Sequence, residues 1–187
     1  MKRTLASLIL ACIFPALVLN LSLPLSAQTQ PKEPPTLRSI LLQELHTTHD
    51  QEDWFVPIDI AVEGLTAEQA RWQPPAGGHS VAQLTSHLLF WNRRNLERLQ
   101  GQGTGAYNGN NDDTFAKLDD KQWADTVAQL NQVMKDYEKL VETADPARLA
   151  SIAPTIANVC THNAYHIGQI LYVRKLQGAW NPDKGVK

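Results

Sequence analysis

Cysteine is scarce in this 187-residue chain, which holds only Cys12 and Cys160. Cys12 falls in an apolar N-terminal stretch, so the body of the chain keeps one thiol and cannot be stapled by an intrachain disulfide. Cys160 sits among Ile156, Val159 and Asn163 in a helical pattern. It reads as a small core residue rather than a nucleophile. Basic clusters are missing too. Lys and Arg number 17 against 19 Asp and Glu, with no concentrated positive patch, which argues against nucleic acid as a partner. No convincing strand alternation and no internal repeat are found, so the body must be built from helices.

Long apolar sequence is confined to the N-terminus. Lys2 and Arg3 precede a stretch from Leu5 to Leu23 that is almost wholly apolar, and Leu25-Ser26-Ala27 ends in a small residue. This is the form of a secretory signal peptide, expected to be cleaved between Ala27 and Gln28. The competing reading is an uncleaved membrane anchor, but Pro15, Asn20 and Pro24 interrupt the run. A lipid attachment at Cys12 would leave Phe14 to Leu25 as an odd apolar terminus. The expected location is therefore outside the cytoplasm, periplasmic or extracellular, with no stable membrane anchor after cleavage. Losing 27 of 187 residues leaves 160, with 15 basic and 19 acidic side chains and a net charge of −4. That length suits one domain with a real core.

Residues 28–35 contain three prolines within Pro31–Pro35 and read as an extended linker. Residues 36–180 form the expected domain, and 181–187 a frayed tail. The first helix is expected near Thr36, with Leu37, Ile40, Leu41, Leu45 and Thr48 on one side, continuing through a kink at Pro57 to Gly64. A short turn at Thr66-Ala-Glu-Gln has capping-box form. The second long helix starts at Ser80, with Gln83 completing another capping box, and stops at Gly101. Gly101 to Asp113 reads as a loop. The third runs from about Asp120 to Thr143 with Trp123, Val127, Leu130, Met134, Tyr137 and Val141 as its stripe. The fourth carries Thr155 to Lys175 and ends before Gly178. Four amphipathic helices of this length predict an all-α four-helix bundle.

His162 and His166 are the chemical signal. Four residues apart on a helix, they lie on one face and can point at one metal ion. The spacing also fits two unrelated histidines. His87 lies on the Leu84/Leu88/Trp91 side of the second helix, where an imidazole needs a partner. That partner could be a metal or a backbone carbonyl. His46 and His49 form a weaker i,i+3 neighbour pair, with His49 expected near the metal and His46 at the surface. His79 is expected to be exposed.

The run from Ser80 through Leu84, His87 and Trp91, followed by His162-Asn-Ala-Tyr-His166-Ile-Gly-Gln-Ile, resembles the DinB-like superfamily of four-helix metalloproteins. The stretch His49 to Trp72 is similar to the first helix and following turn of that family, and the likeness spans about Leu37 to Lys175. It implies an up-down-down-up bundle with His87, His162 and His166 as ligands to a divalent metal. Zinc or nickel is implied first, with iron or manganese as further options, and a homodimer is common. Such a site leaves coordination positions open. His49, Asp53, Asp59, Glu63 and Gln169 are candidates to orient the ligand imidazoles. No carboxylate is attached to either His motif as an obvious general base. The expected function is a metal-dependent hydrolase or transferase acting on a small molecule whose identity is not legible. The alternative is a non-catalytic periplasmic bundle that binds a metal or ligand.

Overall fold

A computed structural model describes residues 34–103 and 105–185. The expected signal peptide, residues 28–33 of the linker and the last two residues lie outside the described residues. The described chain is helical: α1 Leu37–His49, α2 Ile58–Val62, α3 Ala67–Arg71, α4 Val81–Leu99, a 3-10 turn Asn111–Thr114, α5 Asp120–Thr143 and α6 Pro146–Gln177. No strand occurs among the described residues, and no helix among them is long and apolar enough to cross a membrane.

Local chemistry explains most helix starts. Thr36, Thr66, Ser80 and Asp119 each accept a hydrogen bond from the backbone N–H three residues on, and the side chain there returns one. Each reciprocal pair satisfies two orphan donors of the first turn. Asp145 caps α6 by accepting from Arg148 N–H at 2.9 Å, with Pro146 at the first helical position, where a missing N–H costs nothing. The helix therefore begins well before the histidine segment and tolerates Pro154 inside it. Gly178 closes α6 in the left-handed conformation at φ 74°, which a side chain would oppose.

The expected continuation of the first helix through Pro57 does not occur. α1 stops at His49, where His46 O accepts from both Asp50 N–H and Gln51 N–H, and α2 starts afresh behind Pro57. Proline cannot supply the interior hydrogen bond a continuous helix needs, but it fits a helix entrance. Trp54, in the intervening loop, is 90% exposed. The buried stripe of α1 is also rotated from expectation. Leu41, Leu45, Thr48 and His49 face inward, while Leu37 and Ile40 are exposed.

The four long helices contact one another in a ring, α1 against α5 and α6, and α4 against the same two. Their core includes Leu45, Leu88, Met134, Tyr137, Ile156 and Ile170. Three arginines close helix ends by reaching across the chain. Arg38 donates to Val141 O, Glu142 O and Ala144 O at the end of α5. Arg148 donates to Leu99 O at the end of α4. The buried Arg174 donates to Ala61 O at 2.7 Å and Ala179 O at 2.9 Å. These contacts satisfy terminal carbonyls that no intrahelical donor reaches.

Candidate metal centre

His87 sits two turns into α4, on the buried side with Leu84 and Leu88. His162 and His166 occupy successive turns of α6. The structure brings all three together. His162 Nε2 lies 3.2 Å from His87 Nε2 and 3.1 Å from His166 Nε2. An ion about 2.1 Å from each nitrogen would hold them about 3.0 Å apart at right angles and about 3.4 Å apart at the tetrahedral angle. The observed separations fall between these limits.

The outer nitrogens explain why the inner ones converge as lone pairs. His87 Nδ1–H donates to Thr114 Oγ1 at 2.5 Å, and that hydroxyl donates onward to Asn111 O at 2.6 Å. His166 Nδ1–H donates to Gln169 Oε1 at 2.7 Å, while Gln169 Nε2 donates to Tyr165 Oη at 3.1 Å. Both rings are thereby set with the proton on Nδ1, leaving Nε2 as an acceptor. His162 Nε2 can donate one proton at most, so it cannot satisfy both neighbours. A cation can. A second proton does not fill that role, because burial first, and then the other imidazoles, pushes His87 down to about 3 and His162 to about 4. Burial lowers His166 as well, against the opposing pull of its Gln169 bond. The three rings are therefore neutral, the state a metal ligand needs.

A loop covers His87. Gln83 donates to Phe115 O at 3.3 Å, Ser86 to Thr114 O at 3.1 Å and Trp91 Nε1 to Asn111 Oδ1 at 3.1 Å, all from α4. Phe115 lies between two imidazoles, stacked on His87 at 4.0 Å and on His79 at 3.7 Å between ring centroids. His79 is exposed, as expected, yet its ring packs flat against this wall.

The three histidines open on a cleft of about 620 Å³ between α4 and α6. Trp91, Phe115 and Tyr165 supply aromatic wall, and Asn92, Asn95, Asn111 and Asn158 supply amide groups. Asn92 is buried and donates to Asn163 Oδ1 at 2.8 Å, joining the two helices beneath the cleft.

Of the residues expected to orient the ligands, only Gln169 does so. His49 is fully buried but belongs elsewhere: its Nδ1 lies 2.5 Å from Glu138 Oε1, and its Nε2 3.8 Å from Asp59 Oδ2. His46 joins that cluster through Glu138 Oε1 at 3.6 Å, and also pairs with Asp50 Oδ1 at 2.9 Å. Glu63 pairs with Lys184, and Asp53 lines a different cleft. Thr114 and Phe115 were missed by sequence reasoning. They follow a Gly- and Asn-rich loop, Thr114 lying 27 residues beyond His87, with no periodicity to place them. Cys160 is buried and its thiol is pushed up to about 12 by burial, as befits a core residue.

A protein helical throughout its described residues, with three convergent imidazoles over a cleft, is the class these observations define. A family model described as the DinB superfamily matches residues 58–170, more than half of the chain, and the chain belongs to that superfamily. No curated protein and no solved structure matches it.

Proposed function

We propose that the protein holds a divalent metal ion on His87, His162 and His166 and uses it on a small molecule, as a hydrolase or transferase. The observation that carries this reading is the convergence of three histidine Nε2 atoms, those of His87 and His166 set as acceptors, at the mouth of a cleft large enough for a ligand. A divalent ion in such a site keeps positions open and acts as a Lewis acid toward a bound water, thiolate or carbonyl oxygen. The chain's own contribution is orientation and exclusion of water. Thr114 and Gln169 hold two imidazoles in the ligating tautomer. Trp91 and Phe115 shield one side of the centre, and Tyr165, whose hydroxyl accepts from Gln169, also lines the cleft.

Among the described residues no Asp or Glu lines the cleft. This favours a second reading, a non-catalytic bundle that binds a metal or ligand, because proton transfer would lack a side-chain carboxylate. Zinc or nickel suits three imidazoles best, and iron or manganese is also compatible. The four long helices fit an up-down-down-up bundle. Arg93, past the middle of α4, meets Gln129 in α5, and Gln83 near its start meets Phe115 just before α5, which supports parallel α4 and α5 joined by the long loop. Export by cleavage after Ala27 and assembly as a homodimer belong to the same proposal. N-terminal sequencing of the exported protein should begin at Gln28, and light scattering should give twice the chain mass.

Metal content by mass spectrometry tests the centre. Untagged protein starting at Gln28 should carry about one ion per chain. His87→Ala and His162→Ala should each lose it, although their positions lie on different helices. Wild-type protein that stays metal-free after incubation with zinc, nickel, iron and manganese would overturn the reading.

A further inference from the structure

The cleft has a charged far end. On α4 its lining recurs at His87, Trp91, Asn95 and Arg98, a single stripe of the helix. His87 and Arg98 are eleven residues apart, about 16 Å along the axis. Side chains lean toward the helix N-terminus, and the longer arginine leans further, which brings the guanidinium to roughly 10–13 Å from the histidine cluster.

Arg98 differs from the other arginines near it. Arg93 donates to Gln129, Arg94 donates to Gly105 O and lies over the Tyr107 ring, and Arg148 closes the end of α4. Arg98 donates only to Asn95 Oδ1, at 3.0 Å, and among the described residues no carboxylate lies within ion-pairing distance of it. A guanidinium has five N–H donors in a fork that matches a carboxylate. Among the described residues most of those donors meet no protein partner, and the side chain is exposed. With no acidic residue in the lining, nothing in the cleft repels an anion.

We infer that the cleft takes a linear anionic small molecule, with Arg98 as the specificity-determining residue that grips its charged end. The opposite end carries the donor atom that meets the histidine centre, so this inference rests on the metal reading above. The aromatic faces of Trp91 and Phe115 leave room for an uncharged middle between the two ends. A ligand too short to bridge the cleft gains nothing from Arg98.

The test uses synthetic probes on zinc-loaded protein: the monohydroxamate of suberic acid, its methyl ester, and the corresponding malonic acid pair. The hydroxamate supplies a metal-binding end, and only chain length and terminal charge vary. Calorimetry should show the eight-carbon acid binding about ten-fold tighter than its ester, the advantage of a charge-assisted contact. The three-carbon pair should show no such gap. Arg98→Gln should shrink the eight-carbon gap to less than about two-fold, and Arg98→Lys should keep part of it. An equal affinity of acid and ester for wild type, or a gap that persists in Arg98→Gln, overturns the inference. Zinc content measured on the same samples separates the failures. Loaded protein that ignores terminal charge sinks the anion arm alone, while protein that holds no zinc sinks the centre and the arm together.

Discussion

Thr114→Val should weaken metal binding although Thr114 is placed as a support, not as a ligand. The substitution keeps the branched shape and deletes the hydroxyl that accepts from His87 Nδ1–H at 2.5 Å. Thr114 and His87 are both buried, so water cannot readily replace the lost acceptor. A buried donor left without a partner costs about 1–3 kcal/mol. The ring can relieve that cost by moving its proton to Nε2, but that removes the lone pair aimed at the centre. It can also rotate, which spoils the 3.2 Å approach to His162. Either route penalises the metal-competent arrangement. Supports of this kind are worth about 10–100-fold in affinity, or about 1.4–2.7 kcal/mol. Zinc competition against a chromophoric chelator measures the loss directly, with melting curves in chelator as the folding control. Thr114→Ser restores the hydroxyl and should recover most of the affinity. A valine variant that binds zinc within about two-fold of wild type, with unchanged folding, would refute the argument that this hydroxyl sets the imidazole.

The metal-free protein should lose stability as pH falls below neutrality. His87 and His162 titrate at about 3 and about 4 in the folded chain, against an ordinary value near 6.5 once unfolded. The unfolded chain then binds more protons across that window, so this contribution is complete above about pH 6.5 and is lost as pH drops toward about 4 for His162 and about 3 for His87. Urea midpoints at pH 7 and pH 5 should differ more for wild type than for His162→Gln; equal differences would count against it. Arg174→Leu should cost about 2–4 kcal/mol, because it abandons Ala61 O and Ala179 O together, and a melting temperature that stays unchanged would contradict this. In protein starting at Gln28, Cys160 should resist a disulfide thiol reagent while folded and react once urea unfolds the chain, since its thiol is buried and pushed up to about 12. Rapid reaction of the native protein would place that thiol outside the core.

The features legible in advance were those written into neighbouring residues. The α4 start at Ser80 and Gln83, the α3 turn at Thr66 and Gln69, and the bounds of α5 all follow from caps and a 3.6-residue period. His162 and His166 share a face for the same reason, and Gln169 falls one turn beyond the second of them. The break after His49 was harder to see. Pro57 signals an interruption without saying whether the helix kinks through it or ends ahead of it.

Sequence by itself determined the helical class, the helix starts and the one-face placement of His162 with His166, because hydrogen-bond capping and side-chain direction act within one or two turns. Tertiary structure alone decided the rest. It set His87 against that pair across 75 residues, brought Thr114 behind His87, and sent His49 to Glu138 instead of to the centre. It also left Arg98 without an acid and bound Arg38, Arg148 and Arg174 to distant carbonyls. These outcomes depend on how one helix rotates against another, and a polar residue carries no periodic mark of the partner it will meet.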